Sequence, residues 1–230
     1  MDERLISAQI AKLLERVRLA AEKSQRAPGA ITVLAVSKTH PAQAIRAAHG
    51  CGLDHFGESY LQEALAKMEE LADLPLTWHF IGPIQSNKTR PIAEHFAWVH
   101  SVDRGKIAQR LNDQRPPALP PLQVCLQVNI SGEPSKSGIS LDELPRLARE
   151  VAGMPRLRLR GLMAIPAPTT DTGQQRAAFA GLRRALAQVQ AVAPGADTLS
   201  MGMSDDLEAA IAEGATMVRI GTDIFGSRSR

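Results

Sequence analysis

Aromatic side chains are scarce: they make up 3% of the 230 residues, and the single tyrosine is Tyr60. A nucleic-acid surface needs aromatics where bases stack and cations gathered on one face. The arginines are instead spread over several segments, so a formal charge of +3 does not argue for a nucleic-acid partner. Cysteine is as sparse. Cys51 and Cys125 fall in neither a metal-ligand spacing nor a redox C-x-x-C pair, so we expect two reduced, largely buried thiols and no metal site. No run reaches the ~18 apolar residues of a membrane span. The N-terminus is charged and amphipathic where a secretory leader would be apolar. We therefore expect a cytoplasmic protein with no membrane partner. A G-x-G-x-x-G dinucleotide fingerprint is also missing after the first strand-like run.

Hydrophobic residues are plentiful at 44%, so a core is available, and with so few rings Leu, Ile, Val and Ala must fill it. The length suits one large domain over residues 1–230. Residues 1–26 read as an N-terminal helix and its exit. Leu5, Ile6, Ile10, Leu13, Leu14 and Val17 recur at helical spacing, and Ala27-Pro28-Gly29 ends the run. Short apolar, β-branched runs then alternate with helical stretches. The strand-like runs fall at 31–38, 55–59, 76–82, 97–102, 122–130, 157–165, 197–202 and 216–221. Strands separated by helices predict a parallel sheet with crossovers, and eight is the number that closes a (β/α)8 TIM barrel. A doubly wound open sheet is the alternative. The proline-rich stretch 115–121 sits on the helix-to-strand side and reads as a spacer.

Barrel chemistry sits where strands end. Of seven lysines, Lys12, Lys23, Lys67 and Lys106 fall on predicted helices, where a solvated charge is the natural reading. Lys38, Lys88 and Lys136 fall at or after strands one, three and five, on one common face. Lys38 ends its run and by alternation shares a side with Leu34 and Val36. If that side is the barrel interior, desolvation favours the neutral amine that Schiff-base chemistry needs. Otherwise it is a lysine that snorkels to water. At the far end, Ser204 reads as an N-cap before Asp205 and Asp206, and Gly221-Thr222 follows strand eight. The loops after strands seven and eight are the recurring phosphate cup of barrels, although glycine and serine also serve ordinary turns. A lysine on strand one beside such a cup describes a phosphorylated aldehyde held as an imine. Arg219 shares the inner side of strand eight. It either faces a ring nitrogen, to which it can only donate, or forms a buried pair with a carboxylate.

The stretches AVSKTHP (35–41), HFGESY (55–60), WHFIGPIQSNK (78–88), VNISGEPSKSGI (128–139), RGLMAIPAP (160–168), LSMGMSDDLEAAIAEGATMVRIGT (199–222) and IFG (224–226) run through the chain in order. Together they resemble the pyridoxal phosphate homeostasis proteins. The resemblance implies a barrel like the N-terminal domain of alanine racemase, with pyridoxal 5'-phosphate (PLP) as an imine on Lys38. It implies phosphate contacts from Ser204, Gly221 and Thr222, with Arg219 at the pyridine nitrogen. Ser59 and Met203 complete the expected cofactor contacts, and Lys88 and Lys136 are secondary candidates. Three positions depart from the family pattern: Ser59 where Asn is usual, Pro83-Ile84 before Gln85, and Asp223 where Ala is frequent.

The family binds and is thought to buffer or deliver the cofactor, with PLP-dependent apoenzymes as acceptors. Racemisation needs a base on each face of the substrate carbanion, and alanine racemase takes one from a second domain and subunit. This chain ends ten residues after Ile220, and Tyr60 lies within the barrel. We therefore expect a monomeric, non-enzymatic carrier with no catalytic residues. A PLP-dependent amino-acid racemase is the first alternative, and a cofactor-free Schiff-base aldolase is the second.

Overall fold

Strands that are apolar on both faces are stable only in a sheet covered on both sides. The computed structural model, which describes residues 3–133 and 136–226, builds such a sheet and closes it. Helix α1 (Glu3–Lys23) comes first. Then β1 (Thr32–Val36), α2 (Ala42–Gly50), β2 (His55–Glu58), α3 (Leu61–Glu70), β3 (Thr77–Phe80) and α4 (Thr89–His95) alternate. The pattern continues with β4 (Trp98–Val102), α5 (Gly105–Gln114), β5 (Leu122–Gln127), α6 (Leu144–Ala152), β6 (Leu157–Met163) and α7 (Thr172–Gln190). It ends with β7 (Thr198–Ser200), α8 (Leu207–Ala212), β8 (Met217–Ile220) and α9 (Thr222–Phe225). Each strand pairs in parallel with the next, and β8 closes on β1. This is the expected (β/α)8 barrel with an added N-terminal helix.

Alternation decides which side chains fill the barrel. Leu34 of β1 lies opposite Arg219 of β8, and both are buried. Leu34 also crowds Gly57 of β2: a Cβ there would lie 3.3 Å from Leu34 and 3.2 Å from Ile81, so these three share the interior. Val33 and Ala35 point the other way, into the layer between barrel and helices. Helix α1 buries Ile6, Ile10, Leu13 and Val17 against that outer layer, at about 1.5–3 kcal/mol each. It packs on α2, α8 and α9. Leu5 and Leu14, part of the same sequence periodicity, lie off this stripe and are exposed.

Two glycines are required by geometry. Gly161 sits at φ +153° where the β5–β6 register shifts, and a Cβ there would stand 1.9 Å from the Thr198 carbonyl oxygen. Gly202, at φ +95°, lets β7 turn close to α8, where a Cβ would meet the Ala210 Cβ at 2.5 Å. The strands are shorter than the apolar runs that predict them. β1 stops at Val36, and Lys38 lies in the turn beyond it. Cys125 is buried, Cys51 is half-buried, and both are free thiols. Among the described residues no helix is long and apolar enough to cross a membrane, and no metal-ligand cluster occurs.

Candidate cofactor site at the barrel mouth

A cavity of about 250 Å³ opens at the C-terminal ends of β1, β2, β3, β6, β7 and β8. Its lining includes Lys38, Ser59, Met203, Ser204, Arg219, Gly221 and Thr222, the seven residues expected from the sequence to contact the cofactor. Val36, His40, Ile81, Ile165, Asp205 and Gly226 complete the wall. Lys88 and Lys136 do not line it. Lys88 closes a 3-10 turn ahead of α4, and Lys136 pairs with Glu133 at 3.0 Å in the loop after β5.

The turn that carries Lys38 is anchored on both sides. The Ser37 N–H still donates to Gly57 O at 3.1 Å, continuing the β1–β2 ladder. Thr39 then adopts φ +68°, unusual for a β-branched residue. Its N–H donates to Glu63 Oε1 at 2.6 Å. Lys67, placed on a helix and expected in water, is instead buried beneath this turn. Its ammonium donates to Ser37 O at 2.8 Å, to Glu58 Oε1 at 2.8 Å and to Glu63 Oε1 at 2.5 Å. The Ser37 hydroxyl donates to the same Glu58 oxygen at 2.6 Å. Burial pushes the Glu58 carboxyl upward, and Lys67 and Ser37 oppose that shift. The signal for Lys67 is present in the sequence: it continues the three-residue spacing of buried Leu61 and Ala64.

At the other side of the cavity, Ser204 is not an N-cap. It opens a turn, and α8 begins only at Leu207. Asp206 organises that turn by accepting the Met203 N–H at 2.6 Å. Burial raises the Asp206 carboxyl pKa, against the pull of the Met203 N–H and the Arg219 charge. Gly221 and Thr222 start α9, whose first N–H groups have no partner within the helix. Asp223 does not oppose an anion there, because Arg16 of α1 holds it at 2.5 Å and also donates to Ser204 O at 3.1 Å. His40, missed in the sequence, lines the cavity with its ring stacked on Phe225 at 4.9 Å.

Arg219 is buried without a carboxylate in ion-pair range among the described residues. Its Nη1 donates to Ser200 O at 2.6 Å and Ser200 Oγ at 2.8 Å, and its Nη2 donates to Ala164 O at 2.8 Å. Three of its five N–H donors are thus engaged, which leaves two for a ligand. Burial brings its pKa down to about 10, so it stays charged at neutral pH. Behind it runs a file of histidines the sequence did not disclose. His100 Nδ1 lies 2.8 Å from Ser200 Oγ, His79 Nδ1 lies 2.9 Å from His100 Nε2, and His55 Nδ1 lies 2.9 Å from His79 Nε2.

The site therefore combines an amine to capture a carbonyl, a turn with free N–H groups for an anion, and a guanidinium for an acceptor between them. This is the constellation of a barrel that binds a phosphorylated carbonyl compound. Residues 10–229 match the family model described as alanine racemase, N-terminal domain. The pyridoxal phosphate homeostasis protein of Pseudomonas aeruginosa is 66% identical over 223 residues, covering 97% of this chain and 96% of the relative. That of Escherichia coli K12 is 54% identical over 226 residues, covering 97% of each. PipY of Synechococcus elongatus, solved with PLP bound, superposes with a TM-score of 0.83 at 41% identity, covering 96% of this chain and all of that one. Alanine racemase from Corynebacterium glutamicum shares the fold, with a TM-score of 0.73 at 17% identity over 99% of this chain and 62% of its own. The chain belongs to the pyridoxal phosphate homeostasis protein family, built on the alanine racemase N-terminal barrel.

Proposed function

We propose that this protein binds pyridoxal 5'-phosphate as an imine on Lys38 and serves intracellular PLP homeostasis by buffering or delivering the cofactor. The observation that carries this reading is the single cavity lined by Lys38, Arg219 and the Ser204 and Gly221–Thr222 turns. PLP supplies an aldehyde for the amine, a phosphate for the turns and a ring nitrogen for the guanidinium. Ser59 and Met203 act as flanking contacts. The names of the relatives, and the PLP held by PipY, support the assignment. Residues 1–230 act as one binding domain, a cytoplasmic monomer, with PLP-dependent apoenzymes as acceptors. Lys88 and Lys136 serve as secondary aldehyde sites on the same face, outside the first cavity.

Added PLP is expected to produce a visible absorbance that borohydride makes permanent, with the label mapping to Lys38. Lys38→Ala is expected to lose it, and an unchanged spectrum in that variant refutes the assignment.

Racemisation is the competing reading, favoured by the shared barrel. Tyr60, the one tyrosine, is exposed and does not line the cavity. Exchange of the Cα proton of alanine with deuterated water at catalytic rates would decide for the racemase.

A further inference from the structure

The histidine file crosses the barrel from end to end. His55 opens β2 at the N-terminal mouth and is half-buried. His79 in β3 and His100 in β4 are fully buried. Ser200 ends β7, and Arg219 stands at the floor of the cavity. Each contact in the series is between 2.8 and 2.9 Å.

A guanidinium only donates, so the Ser200 hydroxyl oxygen accepts from Arg219. The hydroxyl's own proton then goes to His100 Nδ1. A neutral imidazole that accepts at Nδ1 carries its proton on Nε2. His100 therefore donates from Nε2 to His79 Nδ1, and His79 donates from Nε2 to His55 Nδ1. His55 is left with its proton on Nε2 at the outer mouth. Every bond is satisfied in this order. In the reverse order Ser200 Oγ would receive two donors and its own proton would have to leave the file.

We propose that His55, His79 and His100 form a one-way hydrogen-bond relay that positions Arg219 through Ser200, with all three imidazoles neutral and protonated on Nε2. This deepens the PLP reading, because Arg219 is the group assigned to the cofactor ring. By drawing the Ser200 proton to His100, the relay keeps Oγ as an acceptor for one Nη1 hydrogen, orients the guanidinium and leaves its two remaining donors to the cavity. The surroundings keep the relay neutral. Asp54 is the carboxylate whose charge acts on His55, and burial outweighs it; His49 Nδ1 also lies 2.8 Å from Asp54. The neutral Trp98 ring stacks on His79 at 5.4 Å, with Arg160 beyond it. His100 feels the Arg219 charge, and Arg219 in turn feels Asp206 and Cys125. Burial, with that charge, draws His100 down to about 3.

The decisive measurement is nitrogen-15 NMR of the imidazoles in the cofactor-free protein between pH 6.5 and 8. Three neutral rings with Nε2–H are expected. An Nδ1–H on any of the three overturns the relay, whether or not the protein binds PLP. A second measurement uses PLP titration. His100→Leu removes the acceptor for Ser200 and is expected to weaken PLP binding on the order of tenfold and shift the bound absorbance. His100→Asn, whose Oδ1 can take the Ser200 proton, is expected to restore both. Ser200→Ala is expected to match His100→Leu, and the double variant to add nothing further. A folded His100→Leu with wild-type affinity and spectrum, or a His100→Asn that fails to recover them, sinks the proposal. Absence of PLP binding in the wild type would instead refute the cofactor reading, and the tautomer measurement would still decide the relay.

Discussion

Lys67 lies on α3, where a lysine ordinarily carries its charge into water. Here its ammonium is enclosed by Glu58, Glu63 and the Ser37 carbonyl, directly under the turn that presents Lys38. Glu58 Oε2 has no hydrogen-bond partner among the described residues, so Lys67 is the main counterweight to that buried carboxylate. Removing one member of a buried pair leaves an uncompensated charge, at a cost of about 3–5 kcal/mol. Lys67→Met is therefore expected to lower the unfolding free energy by about that much in urea. Glu58→Gln in the same background is expected to recover part of it. A loss below about 1 kcal/mol would show that the pair does not bear on the fold. Lys38 was readable from its place at the end of an apolar run. Lys67 was readable only in part, because helical spacing marks its buried side without naming the carboxylates on β2 and α3 that receive it.

Elements are set by local patterns and trimmed by their neighbours. All eight predicted strands form, each within its apolar run, because period and side-chain type are local properties. Their ends are not local. Thr39 leaves the β region to meet Glu63, and α9 follows β8 at once, although neither is apparent as a pattern in the sequence. The same dependence explains Ser204. Its place before two acids and a helical run is that of an N-cap, yet Asp206 captures the Met203 N–H and delays α8 to Leu207. Gly161 is the sharpest demand at this scale, since β6 can pass β7 only without a side chain there. Gly161→Ala must both adopt φ +153° and displace the Thr198 carbonyl. We expect a loss on the order of 3 kcal/mol or more, read as a lower midpoint in thermal or urea unfolding. A wild-type midpoint would contradict the close β6–β7 approach.

Across the whole molecule, the buried histidines tie stability to pH. Burial holds His79 well below its ordinary value of 6.5 and draws His100 to about 3. Above pH 6.5 the rings are neutral in the folded and unfolded chain alike, so this part of the stability is fully present. Below it the unfolded chain binds protons that the folded barrel refuses, and stability is lost progressively as pH falls toward about 3. A refused proton costs about 1.4 kcal/mol per pH unit, so His100 alone weakens the fold by about 2 kcal/mol at pH 5, and His79 acts in the same direction. Urea unfolding between pH 7 and 5 should show this slope, and His79→Gln should flatten it. Parallel slopes in the two proteins would remove the histidines as its source.

The barrel itself, the face that carries its chemistry, and the lysine, arginine and glycine–serine turns of the candidate site follow from the sequence alone. They rest on periods of two and 3.6 residues, on the count of alternating runs and on the chemistry of single side chains at strand ends. Closure of the barrel supplied the rest. It brought those turns around one cavity, set Lys67 beneath Lys38, and ran three histidines from the far mouth to Arg219. Such contacts depend on which strands become neighbours and in what register, and that information is distributed over the whole chain.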